Sequence, residues 1–310
     1  MITVAGFNTA IDRLIQLDAL VPGQVQRARA EQVYPGGKGI HVAQTIAALG
    51  ERVQLVGLID ASHRNLVGRR MSERGVLFHG VEAAGALRHC MALCEHDGRI
   101  TEILGQGPRL GPAECDALLR DMQRGIDESE LVILSGSLPR GFADDTYAGL
   151  VRQARAAGKR CLVDASGEAL RLAVAARPFL VKPNRDEAEA LLGGAVGDLD
   201  GAVAALRALA ARGVAMPVLS LGALGALGMD DSGVWHAAVE LEQVRNAVGS
   251  GDCFLAGMAV AIKRGEPLRE ALRLAVACGA ANAMDRETGY AHPDRIDALF
   301  DRVRVREWKH

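Results

Sequence analysis

Short, almost uninterrupted apolar runs punctuate this chain, and helical patterns fill the gaps between them. The runs are ITVAGF, VQLVGLI, LVILSG, RCLVDAS, PFLVKP and PVLSLG. Near-continuous apolar content is what a strand buried on both faces requires; a strand with one wet face alternates instead. Between them, KGIHVAQTIAALG places Val42, Ala43, Ile46 and Ala47 on one face and stops at Gly50. The stretches FADDTYAGLVRQARAAG, DGAVAALRALAARG and EPLREALRLAVACGAANAM behave alike. Strands alternating with helices predict an α/β architecture, a mostly parallel central sheet flanked by helices on both faces. Apolar residues make up 49% of the chain and aromatics only 4%, so the core must be built from Ala, Val, Leu and Ile.

Two regions break this rhythm, residues 11–35 and about 77–105. They hold strand-like pieces with no helix between them. LRHCMALCEH and RITEIL flank Asp97-Gly98 as a hairpin would. Both regions are expected to join a small second sheet projecting from the main one. No linker, internal repeat or low-complexity tract divides the chain, so residues 1–310 are read as one domain.

The formal net charge of −2 gives no global field for nucleic acid or an anionic membrane, so any anion must be held locally. The cysteines are Cys90, Cys94, Cys115, Cys161, Cys253 and Cys278, with no C-x-x-C pair. They read as reduced residues of a cytoplasmic protein rather than as a zinc site. MITVAGFNTAIDRL lacks a basic start and meets Asp12 and Arg13 early, unlike a signal peptide. The longest apolar run ends at Lys263 after about ten residues, too short to span a bilayer.

Chemistry enters at NAVGSGDCFLAG, where Gly249, Ser250, Gly251 and Asp252 precede an apolar helical run. Glycines there let backbone N–H groups face outward, and a helix start adds unpaired donors and partial positive charge. The turn is therefore a candidate anion hole, and equally an ordinary helix start capped by Asp252. An ionised Asp252 beside such a hole could take the proton of an alcohol attacking phosphorus. A second turn, YPGGKGIHVA, sets Gly36, Gly37, Lys38 and Gly39 before another helix. It lacks P-loop spacing, but Lys38 could hold an anionic or hydroxyl-rich substrate. In KPNRDEAEALLG, Asn184 caps a helix with Glu187 at the capping-box position; the pair could also hold a water on Mg²⁺. Gly105, Gly107 and Gly111 approximate a dinucleotide fingerprint, but Pro108 intervenes and no helix starts there. Gly222, Gly225 and Gly228 follow PVLSLG as a strand-end loop that could touch a nucleotide.

Together these motifs resemble the PfkB/ribokinase family of carbohydrate kinases, nearly end to end and in family order. The matching stretches are AIDR at 10–13, GGKG at 36–39, SGSLPRG at 135–141, DASGEAL at 164–170, KPNRDEAEALLG at 182–193 and VGSGDCFLAG at 248–257. SGSLP and DASGEAL look most like the 1-phosphofructokinase and tagatose-6-phosphate kinase branch. The resemblance implies a ribokinase-like fold whose small sheet is a lid that closes over the site and often mediates dimers. It makes Asp252 the catalytic base and Gly249, Ser250 and Gly251 the anion hole. Asp12, Gly37 and Lys38 would hold the sugar, with Arg88 and Lys38 gripping a phosphate it already carries. Lys182, Asn184, Ser220, Gly222, Gly225 and Asn282 would serve ATP, and Asn184 and Glu187 would organise Mg²⁺ through water.

Several positions depart from that pattern. Thr9 stands where the branch usually has Pro, His41 where it has Asn, and Cys90 replaces an Asn two places after Arg88. All three are expected on the sugar side, and His41 is expected to touch substrate. Leu224 replaces an Asp in the nucleotide-side turn. The implied activity is ATP-dependent phosphorylation of a phosphorylated ketohexose, fructose 1-phosphate first. Tagatose 6-phosphate, fructose 6-phosphate and an unphosphorylated sugar or nucleoside are the alternatives. A non-catalytic sugar or nucleotide sensor is the reading from another class. A nicotinamide oxidoreductase lacks its fingerprint. The implied partners are a sugar phosphate, ATP and a second copy of the chain through the lid, with neither nucleic acid nor membrane.

Overall fold

A computed structural model describes residues 1–309. Strands β1 (Ile2–Gly6), β2 (Ala10–Gln16) and β3 (Ala30–Gly36) lead into helix α1 (Lys38–Ala48). Next come β4 (Val53–Ile59), α2 (Arg64–Glu73), β5 (Leu77–Glu82), β6 (Arg88–Cys94), β7 (Ile100–Leu104) and α3 (Pro112–Glu128). The middle of the chain supplies β8 (Leu131–Ser135), α4 (Thr146–Ala156), β9 (Arg160–Asp164), α5 (Gly167–Ala175), β10 (Leu180–Val181), α6 (Arg185–Leu192) and α7 (Leu199–Ala211). Last are β11 (Met216–Ser220), β12 (Ala226–Asp230), β13 (Gly233–Ala238), α8 (Ser250–Arg264), α9 (Leu268–Ala283), α10 (Pro293–Phe300) and β14 (Arg304–Glu307).

Among the described residues, ten strands form one sheet in the order β14-β13-β12-β11-β10-β9-β8-β1-β4-β5. The seven from β11 to β5 run parallel, and β12, β13 and β14 extend the sheet antiparallel. Every residue of β1, β4 and β8 is buried, which explains their continuous apolar runs. Strand β1 pairs with β4 on one side and β8 on the other. The chain thus winds outward in both directions from β1, and a crevice opens at the strands' C-terminal ends beside that switch point.

A separate four-stranded sheet, β3-β2-β6-β7, joins the two irregular regions. The second region enters it later than expected. Leu77–Glu82 is instead the edge strand β5 of the large sheet, parallel to β4. The cause is α2 between β4 and β5. It makes a strand-helix-strand crossover, but its sequence RNLVGRRMSE buries only Val67 and Met71, so its helical pattern is faint. Only β6 and β7 belong to the small sheet, and they form the hairpin expected around Asp97-Gly98.

Helix α8 is not merely apolar on one side; every residue from Asp252 to Ile262 is buried. It packs on α1, α9 and β8, so no face meets water. No helix among the described residues is long and apolar enough to cross a membrane.

Candidate active site

A cleft of about 1070 Å³ lies at the C-terminal ends of β8, β9, β10 and β11, between the two sheets. It gathers Asp12, Gly37, Lys38, His41, Arg88, Lys182, Asn184, Glu187, Ser220, Gly222, Gly225 and all four residues from Gly249 to Asp252. Residues as far apart as Asp12 and Asp252 meet there because strand ends, helix starts and one face of the small sheet converge on it.

Gly249 precedes α8 with φ 82°, a left-handed conformation that costs glycine nothing. The sharp turn makes Asp252 the third residue of α8. Inside the turn, the Ser250 N–H donates to Ala247 O (3.1 Å) and the Asp252 N–H to Gly249 O (3.0 Å). The N–H groups of Gly249 and Gly251 have no backbone partner among the described residues. The candidate anion cradle is thus two donors at a helix N-terminus, narrower than the motif implies.

Asp252 is buried at the foot of this cradle. Its Oδ2 lies 2.8 Å from His41 Nδ1. The other nitrogen of the ring, Nε2, lies 3.1 Å from Asp12 Oδ2 on β2. One imidazole therefore joins the expected base to the expected sugar-binding carboxylate. Burial by itself would lower the His41 pKa, but hydrogen bonds and charge from Asp12 and Asp252 push it up to about 10. His41 was expected to touch substrate; with both nitrogens engaged and only 5% of the residue exposed, it has no polar atom to offer one.

A second charge cluster was not anticipated. Asp164, at the end of β9 and 1% exposed, receives Lys38 Nζ at 3.1 Å on Oδ1 and Lys182 Nζ at 3.2 Å on Oδ2. Burial alone would lift the Asp164 carboxyl, but the two ammonium groups hold it below the usual carboxylate range. Burial likewise works against the charge on Lys38, and Asp164, Asp252 and Glu187 outweigh it, so its pKa is raised. A Cβ on Gly251 would lie 3.5 Å from Lys182 Nζ, so that cation sits beside the anion cradle. DASGEAL pointed to this stretch, but nothing in the residues alone placed Asp164 between two lysines. Across the cleft, Arg88 Nε donates to Asn8 O (3.1 Å), and the rest of its guanidinium makes no ion pair among the described residues.

Towards the other end, Asn184 and Glu187 make the full capping box. Glu187 N–H donates to Asn184 Oδ1 (2.8 Å), and Asn184 N–H to Glu187 Oε2 (2.9 Å). Both also line the cleft, so capping and ligand contact are compatible. Ser220, Gly222 and Gly225 border a largely apolar wall of Val239, Leu241, Val244, Ala280 and Ala283, which the motifs did not reveal. Leu224 lies exposed on the surface turn beside it.

Two expected positions move away from ligand. Asn282 is 0% exposed and does not border the cleft. Its Nδ2 donates to Val248 O (2.9 Å) and Ser250 Oγ (3.0 Å), and its Oδ1 accepts from Gly289 N (2.7 Å) and Tyr290 N (3.1 Å). It ties the turn before Asp252 to the following loop, and both of its polar atoms are engaged in doing so. Thr9 is also turned inward: its hydroxyl accepts from Leu58 N (2.9 Å) and donates to Gly6 O (3.3 Å). Of the three departures on the supposed sugar side, only His41 and Cys90 border the cleft.

A doubly wound α/β sheet with a small second sheet over its switch point, and a carboxylate beneath an anion cradle, define a small-molecule phosphotransferase of ribokinase-like fold. Residues 5–295 match the pfkB family of carbohydrate kinases, and the chain belongs to that family. It is 38% identical over 276 residues to a 1-phosphofructokinase of Xanthomonas campestris pv. campestris, covering 87% of each chain. Phosphofructokinase-2 from Escherichia coli, solved in complex with substrates and products, superposes with a TM-score of 0.89 at 28% identity, over 97% of this chain and 98% of that one. The ribokinase of Arabidopsis thaliana shares the fold, with a TM-score of 0.78 at 21% identity over 96% of this chain and 98% of the other.

Proposed function

We propose that this carbohydrate kinase transfers the γ-phosphoryl group of ATP to the 6-hydroxyl of fructose 1-phosphate, giving fructose 1,6-bisphosphate and ADP. One observation carries the chemistry: among the described residues, Asp252 Oδ1 has no hydrogen-bond partner, and it lies on the turn where the Gly249 and Gly251 N–H groups have none either. In the step, Oδ1 takes the hydroxyl proton as the hydroxyl oxygen bonds to phosphorus. The bond from phosphorus to the β,γ-bridging oxygen breaks, and ADP leaves with that electron pair. The Gly249 and Gly251 donors and Lys182 face the charge on the moving group. Lys38 and the open side of Arg88 suit the phosphate already on the sugar. The 38% identity to a 1-phosphofructokinase supports that choice of acceptor.

Among the described residues, no group of three His, Cys, Asp or Glu side chains could cage a metal. Asn184 and the Glu187 oxygen outside the capping box line the cleft, and these oxygen donors would suit a Mg²⁺ ion carried by the nucleotide's phosphates and touched through water. Bound there, the ion would neutralise charge on the β- and γ-phosphates.

We place a second copy of the chain against the outer face of the small sheet. Strand register sets Val33, Arg13, Met91 and Ile103 in one row opposite the Asp12 face, and Val33 and Ile103 are 41% and 49% exposed. The small sheet closing over the cleft would exclude water as a lid does. Six free cysteines suit a reducing, cytoplasmic setting.

The test is ADP release with Mg·ATP across fructose 1-phosphate, tagatose 6-phosphate, fructose 6-phosphate, free hexoses, ribose and nucleosides. Fructose 1-phosphate is expected to be the preferred acceptor, and Asp252→Asn to lower kcat by roughly 10²- to 10⁴-fold. Arg88→Ala should raise KM for phosphorylated sugars by about 10- to 100-fold and leave free sugars unaffected. Turnover confined to a free sugar or nucleoside would move the acceptor. Ligand binding with no Asp252-dependent turnover would leave a sensor.

A further inference from the structure

The most unusual arrangement in the cleft is one imidazole held between two carboxylates. His41 meets Asp252 Oδ2 at 2.8 Å and Asp12 Oδ2 at 3.1 Å, on opposite sides of the ring. A carboxylate oxygen only accepts, so satisfying both contacts requires both nitrogens to donate. Each carboxylate keeps its other oxygen, Oδ1, for something else. We propose that His41 is a positioning residue, a doubly donating ring that fixes the sugar-binding oxygen of Asp12 and the proton-accepting oxygen of Asp252 in one register. This rests on the assignment of Asp252 as base. His41 keeps its own protons throughout; the hydroxyl proton goes to Asp252 Oδ1.

The surroundings are shaped for this ring. A Cβ on Gly289, whose φ is +69°, would overlap His41, so the loop after α9 can pass over the imidazole only as glycine. That loop is anchored by Asn282 on one side, and by Arg74 on α2, which meets Glu287 at 3.0 Å, on the other. Gln44, one turn further along α1, donates to Gly289 O at 2.6 Å. The charged and titratable groups near the ring are Asp12 on β2, Asp252 and Cys253 on α8, Lys38 on α1 and Glu102 on β7. Burial, then the charges of Asp12 and Asp252, push the Glu102 carboxyl up, while His41 pulls it down, so His41 is the cation serving an acidic cluster. A pKa pushed up to about 10 agrees with two donating nitrogens at neutral pH.

The branch pattern has asparagine here, and asparagine cannot replace this ring. It is shorter, and its two N–H donors share one nitrogen with a carbonyl acceptor at the other terminus, so it cannot donate from opposite ends to carboxylates on both sides. His41→Asn should lower kcat roughly tenfold and leave KM for ATP unchanged. The decisive readout is a cycle with Asp12→Asn. In the wild-type background Asp12→Asn should raise KM for the sugar and lower kcat as well, because it releases one end of the bridge. In the His41→Asn background it should raise KM alone. The alkaline limb of kcat/KM, as His41 loses its proton through about pH 10, should disappear in His41→Asn. Gly289→Ala, which pushes the ring aside and alters none of the three bridge residues, should reproduce the kcat loss with a cooperative thermal transition. Additive kcat effects, an unchanged alkaline limb in His41→Asn, or wild-type kcat in folded Gly289→Ala would each overturn the bridge. Full turnover in Asp252→Asn would instead overturn the assignment of the base, whatever His41 does.

Discussion

At the residue scale, Asp164 is a buried carboxylate that meets two ammonium groups. It is 1% exposed and holds the two cationic side chains, Lys38 and Lys182, that line the cleft. Its pKa is lowered in the fold, so the stability it adds is present above the unfolded carboxylate value near 4 and fades as pH falls below it. Asp164→Asn should cost about 3 kcal/mol at neutral pH, the low end for a broken buried pair, because it leaves the buried Lys182 ammonium facing Lys38, whose side chain is 37% exposed and partly screened by water. The loss should shrink in acid, where the wild-type carboxyl is itself protonated. Thermal melts of both proteins from pH 7 to pH 3 check this: converging curves are expected, and a constant gap would show the ion pairs to be incidental. None of this was legible beforehand. Asp252 announces itself through the Gly-Ser-Gly before it, whereas DASGEAL marks the stretch around Asp164 without showing the two lysines that meet it.

At the scale of elements, the glycine turn proposed to hold the moving phosphoryl group depends on how α8 and α9 are fastened together. Asn282, on α9, holds Ser250 and Val248 on one side and the backbone of Gly289 and Tyr290 on the other. Asn282→Ala would strand several buried donors and acceptors at about 1–3 kcal/mol each. We expect a lower melting temperature and a kcat reduced about tenfold, with KM for ATP close to wild type. A selective rise in the ATP KM would restore Asn282 to the nucleotide site. Helix starts were legible here because caps are local: Asn184 and Glu187 lie three residues apart and bond to each other's backbone. The partners of Asn282 were not, since Val248 and Tyr290 lie in loops whose meeting depends on the packing of two helices.

At the scale of the whole molecule, the active cleft exists because the large sheet reverses its winding at β1 and the small sheet stands over that point. Lys38 enters from the side of β1, and Asp164 and Lys182 from the strands on the other side of it. The small sheet contributes Asp12 and Arg88 from its inner face. Its outer row is where self-association is expected. Ile103→Lys should convert a dimer to a monomer in sedimentation without disturbing the Asp12 face, because neighbouring residues on a strand point to opposite sides. A dimer that survives Ile103→Lys and Val33→Glu together would place the contact elsewhere.

What the amino-acid sequence determined by itself was whatever depends on neighbours along the chain. That covers the buried strands, read from unbroken apolar runs, the capped helices and the glycine turn before Asp252. With the family's motif order, it also covers the class of kinase. Tertiary structure decided what depends on neighbours in space. It sent Leu77–Glu82 to the large sheet, turned Thr9 and Asn282 inward, and set two lysines on Asp164. It also laid His41 between Asp12 and Asp252, 211 residues from the latter along the chain. A polar side chain's role is fixed by which partners complete its hydrogen bonds, and buried groups take those partners from whatever element packs against them.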